Sequence, residues 1–336
     1  MISVALLSKW HVHAPDYARQ ANDHPHLSIV KVWDEDPRRG QEWATELGVP
    51  FASDLNRVLE DPAIDGVIVN TATHLHKEVI MAAARNGKHI FTEKVLALTV
   101  ADCQEIYATV ESAQVKLMVS LPRLTDSTYL YTQQVLKQGL LGRLTTIRCR
   151  LAHNGAVPSG REERGWLPQR FFDPVACGGG ALIDLGAHPI YLTNRLAGPA
   201  TAVQARLSSF LGGEVDDNAA VVVEYASGAL GVIEAGFVSG GSPFLLECHG
   251  TEGSLMVTDH TVRLNSSRTP QQGWHQPENL PAPLPSPMEQ WVRLIRHGIQ
   301  PTITKEDVIR LTQINEAARL SHREERRVKM TSDQTN

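Results

Sequence analysis

The sequence predicts an α/β chain in which an N-terminal doubly wound parallel sheet is followed by an α+β domain built on a mainly antiparallel sheet. Three observations lead there. At 336 residues the chain is too long for one ordinary core and implies two domains. Up to about residue 120, short apolar runs alternate with amphipathic stretches, the pattern of parallel strands covered by helices. Beyond Leu121 that alternation gives way to a succession of strands between Thr201 and Arg263. The expected division is residues 1–121, residues 122–330 and a loose tail over 331–336.

In the first domain, strands are expected at 2–7, 28–33, 65–70, 88–92 and 115–120, each an apolar run short enough to be a strand buried on both faces. Between them, 14–23, 37–47, 75–86 and 99–113 read as helices. The last is the clearest: Val100, Cys103, Ile106, Tyr107 and Val110 keep a helical period, and Thr99 followed by Asp102 makes a helix start. Right-handed crossovers then wind the sheet in both directions. In the second domain a polar helix at 127–138 leads to a strand at 144–153, and a loop rich in Gly, Arg and Trp precedes a helix opening at Gly178. Strands follow at 202–210, 219–225, 229–237, 244–249 and 254–257, with turns at Ser227-Gly228 and Thr251-Glu252-Gly253. A proline-rich connection over 277–287 precedes two closing helices, 288–298 and 305–323, which pack on one domain or bridge both.

Composition narrows the function classes. A formal charge of -5 and a pI near 6.3 give no basic field of the kind that neutralises phosphates, so no nucleic-acid partner is expected. No apolar run approaches the ~20 residues of a membrane span, and the start has no signal-peptide pattern, so the expected location is the cytoplasm. Cys103, Cys149, Cys177 and Cys248 form no C-x-x-C pair and are expected as reduced thiols. His-x-His pairs stand at 11/13, 24/26 and 74/76, but no third ligand with metal spacing accompanies any of them, so no metal is expected.

The residues with chemistry gather in a few places. Asp184 and His188, four apart after Gly178-Gly179-Gly180, lie on one helix face. Leu182, Leu185, Pro189, Leu192 and Leu196 form the buried stripe, and Asp184, His188, Tyr191 and Arg195 a second stripe about 100° round. A carboxylate and an imidazole beside a packed face suit proton transfer, although an ordinary surface pair is the plainer reading of two such residues alone. A doubly wound sheet binds ligands beyond the carboxyl ends of its strands, where the first strand-to-helix turn usually carries glycines that let backbone approach a pyrophosphate. Here that turn is Ser8-Lys9-Trp10-His11-Val12-His13-Ala14, without a glycine, which argues against a dinucleotide. Asp34, after the second strand, argues for one: a carboxylate there takes ribose hydroxyls and repels a 2′-phosphate, favouring NAD over NADP. Arg38 and Arg39 weaken that preference, and an acidic helix start is the alternative reading of Asp34-Glu35-Asp36-Pro37. Two further segments, Asn70-Thr71-Ala72-Thr73-His74-Leu75-His76 and Thr92-Glu93-Lys94-Val95, end strands at the same ligand edge.

Through Val69 to His76, Gly87 to Lys94, Gly178 to His188, Val215-Asp216-Asp217-Asn218 and Gly250 to Leu255, the chain resembles the glucose-fructose oxidoreductase, inositol dehydrogenase and MocA family of NAD(P)-dependent oxidoreductases. The resemblance implies a Rossmann domain, an open-faced antiparallel sheet that often mediates a homo-oligomer (dimer or tetramer), and a sugar or polyol substrate between the domains. By position it makes Lys94, Asp184 and His188 the catalytic set. It also implies cofactor contacts from Ser8, Lys9, Trp10, His11, Asp34, Thr71, Ala72, Thr73, His76, Glu93 and Lys94. Substrate contacts are expected from Arg123, His153 and Trp166, besides Asp184 and His188, with Arg161 and Arg170 on the same loop. His188 would be the base, because an unperturbed imidazole titrates at about 6.5. Lys94 would stabilise the developing alkoxide, and Asp184 would orient the substrate hydroxyl or the ring. Two positions depart from the family pattern: Ser8-Lys9-Trp10 replaces the glycine-rich turn, and Val95 replaces the proline after the Glu-Lys pair. Lys9 would then offer a phosphate a point charge, and Trp10 would pack on the cofactor or fill the space. An NAD-dependent glycosidase acting by transient oxidation and a ligand sensor without cofactor are the alternatives on the same fold.

Overall fold

A computed structural model describes residues 1–160 and 165–330; Arg161 and the expected loose tail lie outside the described residues. The chain divides into two compact units, the first formed by Met1–Ser120 together with Pro285–Thr304, the second by Leu121–Leu284 and the chain from Lys305 on.

The first unit is a six-stranded parallel sheet of β1 (Ile2–Leu7), β2 (Leu27–Trp33), β3 (Phe51–Ala52), β4 (Gly66–Val69), β5 (His89–Thr92) and β6 (Leu117–Val119), in the order β3-β2-β1-β4-β5-β6. Val4 to Leu7 and Val67 to Val69 are wholly buried, as strands covered on both faces require. The winding reverses between β1 and β4, so the ligand edge lies where β1, β4 and β5 end. Helix starts follow local chemistry. Asp36 accepts the N–H groups of Arg38 and Arg39, and Thr99 accepts that of Asp102. The two-residue strand β3 and the helix Leu55–Leu59 are additions to the expected elements, both too short to carry a period. The helix Pro287–His297 packs on this unit: Trp291 is fully buried, 5.8 Å from the Phe91 ring, and fills the space that a side chain at Gly66 would need.

The second unit is an eight-stranded sheet. Its strands are β7 (Leu144–Ala152), β8 (Ala200–Ser208), β9 (Asn218–Tyr225), β10 (Leu230–Gly236), β11 (Leu245–Gly250), β12 (Gly253–Thr258), β13 (Thr261–Ser266) and β14 (Val328–Lys329). They lie in the order β13-β12-β11-β7-β10-β9-β8-β14, and only the β7–β10 pair is parallel. One face is covered by the helices Ala187–Ala197 and Lys305–Glu324, which the Arg195 guanidinium joins by gripping Asp307 (Nε to Oδ1 2.9 Å). The other face is open: Val222 and Leu230 are about half exposed there, beside Arg148, whose guanidinium reaches Glu234 at 2.7 Å and Glu247 at 3.5 Å. No helix of the described residues is long and apolar enough to cross a membrane.

The glycine run departs from the single amphipathic helix expected of it. Two helices form, Ala181–Asp184 and Ala187–Ala197, separated at Leu185-Gly186. From Ala187 to Asn194 every residue is buried, so there is no polar stripe facing water. The helix lies deep in its unit, and Asp184 and His188 are not an ordinary surface pair.

Candidate active site

The first unit carries the turn after β1. Ser8 adopts φ 74°, the left-handed conformation that a glycine would take without strain. Its buried hydroxyl accepts the Trp10 N–H at 3.0 Å and an Arg39 N–H at 3.3 Å, which offsets the steric cost locally. Trp10 is buried and fills space, while the Lys9 ammonium is paired with Glu46 at 2.7 Å and lies 5.7 Å from the Trp43 ring. Because the backbone, more than the side chain, defines this position, Ser8→Gly is expected to change stability by less than ~1 kcal/mol, whereas Ser8→Val should cost about 2 kcal/mol or more. Thermal melts of the two variants decide it; equal losses would sink the backbone account.

Asp34 is buried, and its oxygens already receive four donors. Lys9 N–H (2.8 Å) and Arg39 Nε (3.0 Å) reach Oδ2, while Asp36 N–H (2.8 Å) and Arg39 Nη2 (2.6 Å) reach Oδ1. That uses the roughly four lone-pair sites of a carboxylate, so a ribose hydroxyl must displace Arg39 to be accepted. At the ends of β4 and β5, both amide atoms of Asn70 and the hydroxyls of Thr71 and Thr92 are buried without a partner. Unsatisfied buried polar atoms are rare in folded proteins. Gathered at the ligand edge of a doubly wound sheet, they fit a polar ligand, and a dinucleotide is compatible with them. Ala72 is buried and Thr73 opens a short 3-10 turn. His76 is spoken for: Nδ1 lies 2.9 Å from the Val95 carbonyl and Nε2 3.2 Å from that of Thr71. Burial lowers its pKa, and its place is to fix the turn after Lys94.

Glu93 and Lys94 are both buried. Glu93 Oε2 accepts the Lys94 N–H (2.9 Å); Oε1 accepts the Tyr17 hydroxyl and lies 2.7 Å from His13 Nδ1 and 3.8 Å from His11 Nδ1. Burial alone would raise the Glu93 pKa; the His11 and His13 imidazoles outweigh it and hold the carboxyl well below the usual range. The Tyr17 phenol is pushed up by burial and by Glu93. Neither Tyr17 nor the Glu93 contact of His13 is visible in the sequence as part of a site, since they are 76 and 80 residues from Glu93. The Lys94–Val95 peptide is cis.

The second unit by itself carries Asp184 and His188. The glycine run ahead of them is held by Asp216, whose carboxylate accepts the N–H groups of Gly180 (3.0 Å) and Leu182 (2.8 Å) and whose carbonyl accepts that of Ala181 (2.7 Å). Burial raises the Asp216 pKa against those bonds. His188 is buried with Nδ1 2.7 Å from the Tyr191 hydroxyl, which also receives the Arg123 N–H at 3.4 Å. Tyr191, which the sequence places on the same stripe as Asp184 and His188 without a role, also belongs to the candidate site, and its spacing of three from His188 is the signal for it. The Arg123 guanidinium stands 4.5 Å over the Phe244 ring. His153 is stacked on Phe237 (5.3 Å) and tilted against Trp166 (4.6 Å), and Trp166 is 55% exposed, an available apolar platform. Burial lowers the His153 pKa, and the Asp184 charge pulls it the other way, so Asp184, His153 and Trp166 belong to one neighbourhood. Arg170 lies 5.9 Å over the Phe171 ring.

A family model described as an oxidoreductase family with an NAD-binding Rossmann fold matches residues 11–121, and one described as a GFO/IDH/MocA C-terminal domain matches residues 129–256. Levoglucosan dehydrogenase of Pseudarthrobacter phenanthrenivorans is 30% identical over 260 residues, covering 69% of this chain and 65% of that protein. The NAD(+)-dependent scyllo-inositol 2-dehydrogenase of Bacillus subtilis is 30% identical over 242 residues, 69% of this chain and 67% of its own. The chain thus spans about two thirds of the length of the curated relatives it matches. A crystal structure of levoglucosan dehydrogenase with NADH and L-sorbose shares the fold, with a TM-score of 0.84 at 23% identity over 98% of this chain and 99% of that one.

Proposed function

Because the chain belongs to the GFO/IDH/MocA family of oxidoreductases, we propose that it is an NAD(P)-dependent dehydrogenase acting on a secondary hydroxyl or ketone of a sugar or polyol. The observation that carries the reading is the set of unpartnered buried polar atoms on Asn70, Thr71 and Thr92 at the sheet edge, beside the buried Lys94. Relatives that act on levoglucosan and scyllo-inositol favour a polyhydroxylated substrate. A bound nicotinamide supplies the hydride chemistry that no side chain offers. Lys94 brings a positive charge to the reacting oxygen and favours its anionic form. His188 moves the proton. In this reading Nδ1 is the nitrogen held by the Tyr191 hydroxyl, 2.7 Å away and itself fixed by the Arg123 backbone N–H, and Nε2 is the nitrogen that exchanges the proton. Asp184 accepts a substrate hydroxyl, and Trp166 with His153 presents an apolar face to the sugar ring.

NAD is the preferred cofactor in this reading, with Arg39 as the group that decides how far NADP is excluded, since it neutralises Asp34 and lies where a 2′-phosphate would be met. Titrating the purified chain with NADH and NADPH by nucleotide fluorescence tests both points. NADH is expected to bind at least ~10-fold more tightly than NADPH, and Arg39→Ala to widen the gap by uncovering the Asp34 charge. Binding of neither nucleotide, by protein shown to contain none, would overturn the dehydrogenase reading; tighter NADPH would overturn the preference. The open sheet face suits a homo-oligomer, so light scattering of the same sample should give a dimer or tetramer, and a monomer would discard that part.

A further inference from the structure

We propose that His11, His13 and Glu93 form a binding site for a divalent transition-metal ion of the Zn²⁺ class. Both imidazoles come from the turn after β1 and the carboxylate from the end of β5. The sequence offers no third ligand at metal spacing for this His-x-His pair, and in this proposal Glu93, brought across the sheet by the fold, takes that place. Its Oε1 lies 2.7 Å from His13 Nδ1 and 3.8 Å from His11 Nδ1, and the three donor atoms are all within 4.8 Å of one another. Donors about 2.0–2.2 Å from a tetrahedral ion are about 3.3 Å apart, inside that spread, so small side-chain rotations admit the ion.

The protonation pattern suits it. Nδ1 of His11 accepts the His13 backbone N–H at 3.2 Å, so it is the unprotonated nitrogen, and a metal bound there takes the place of that hydrogen bond. His13 Nδ1 faces the carboxylate and gives up its proton when metal replaces it. Glu93 Oε2 is held by the Lys94 N–H, which leaves Oε1 turned toward both rings. His11 and Glu93 are buried, whereas the His13 side chain is 44% exposed, so the ion has a route from solvent and keeps a position for water. Two imidazoles and one carboxylate select Zn²⁺, Co²⁺, Ni²⁺ or Fe²⁺ over Mg²⁺ and Ca²⁺. Among the described residues the other pairs do not bring three donor atoms to this spacing: His76 is bonded to backbone carbonyls, and although His24 Nε2 lies on Glu289, the His24 and His26 rings are 5.8 Å apart. A glycine-rich turn would have had no side chains to offer here, so the departure in Ser8-Lys9-Trp10-His11-Val12-His13 is what creates the site.

The test uses the full-length protein, stripped with a chelator and titrated with Zn²⁺ by calorimetry and with Co²⁺ by visible absorption, with no nucleotide or substrate present. One equivalent should bind, and Co²⁺ should show the intense bands of a low-coordinate site. His13→Ala, which alters a half-exposed ring, and Glu93→Gln should each weaken binding at least ~100-fold, since losing a mere outer partner of a ligand already costs about 10–100-fold. His26→Ala should leave it unchanged. Absence of stoichiometric binding in the wild type, undiminished affinity in a folded His13→Ala, or loss in His26→Ala would each overturn the proposal. Because nucleotide titration is read separately, failure here leaves the dehydrogenase reading standing.

Discussion

Replacing Lys94 with methionine is expected to lower turnover by at least ~100-fold, the usual scale for a positioned acid, base or charge at a reacting oxygen, while leaving NADH affinity within a few-fold of wild type. Methionine keeps the length and apolar stem of a side chain that is only 5% exposed, so the change isolates the ammonium. His188→Ala should fall as far, and Tyr191→Phe by less, about 3–10-fold, because the phenol touches only the ring nitrogen opposite the one that moves the proton. The kinetic signature matters as much as the size. Loss concentrated in kcat marks groups that act in the transition state, whereas a rise in KM alone would mean that Lys94 and His188 merely bind substrate. Near-normal turnover in both single variants would remove them from the mechanism.

Gly180→Ala should destabilise the second unit by about 3 kcal/mol or more, lowering its melting temperature by at least ~6 °C. A methyl group at Gly180 would stand 1.8 Å from the Asp216 carbonyl oxygen and 2.9 Å from its nitrogen, and backbone has no rotamer with which to escape. Relief by moving Asp216 away breaks the three bonds by which it holds Gly180, Ala181 and Leu182. Gly240→Ala, whose added carbon meets nothing within 4 Å, is the control and should melt near wild type. Equal melting of the two variants, followed by circular dichroism, would show that the close approach is not a constraint.

Local signals made much of the fold readable. Asp36 and Thr99 announce their helices because a cap is a matter of residues two or three apart, and the strands from Ile2 to Thr92 announce themselves as apolar runs. The strands Phe51–Ala52 and Val328–Lys329 escape because two residues carry no pattern. The Gly178 segment misleads for a different reason: its spacing is helical, but periodicity cannot report that Asp216 pins the glycines or that the following helix is enclosed on every side. Within the candidate site, single residues such as Lys94 and His188 stand out by type and position. Their partners do not. Arg39 on Asp34, Tyr17 and His13 on Glu93 and Asp216 under Gly180 are meetings across the fold, and the resemblance to the family gives no warning of those that arise from the altered turn.

The return of residues 285–304 to the first unit bears on how the polypeptide matures during synthesis. Trp291 closes against Phe91 and over Gly66, so the N-terminal sheet is emitted from the ribosome with one of its walls still unmade. At about 5–20 residues per second, roughly 10–30 s of further translation separate the end of β6 from the arrival of that wall. A nascent chain in that interval presents an apolar flank over β5 and β6, the kind of surface that chaperones hold, and a gene fragment stopped after Ser120 would keep that flank permanently.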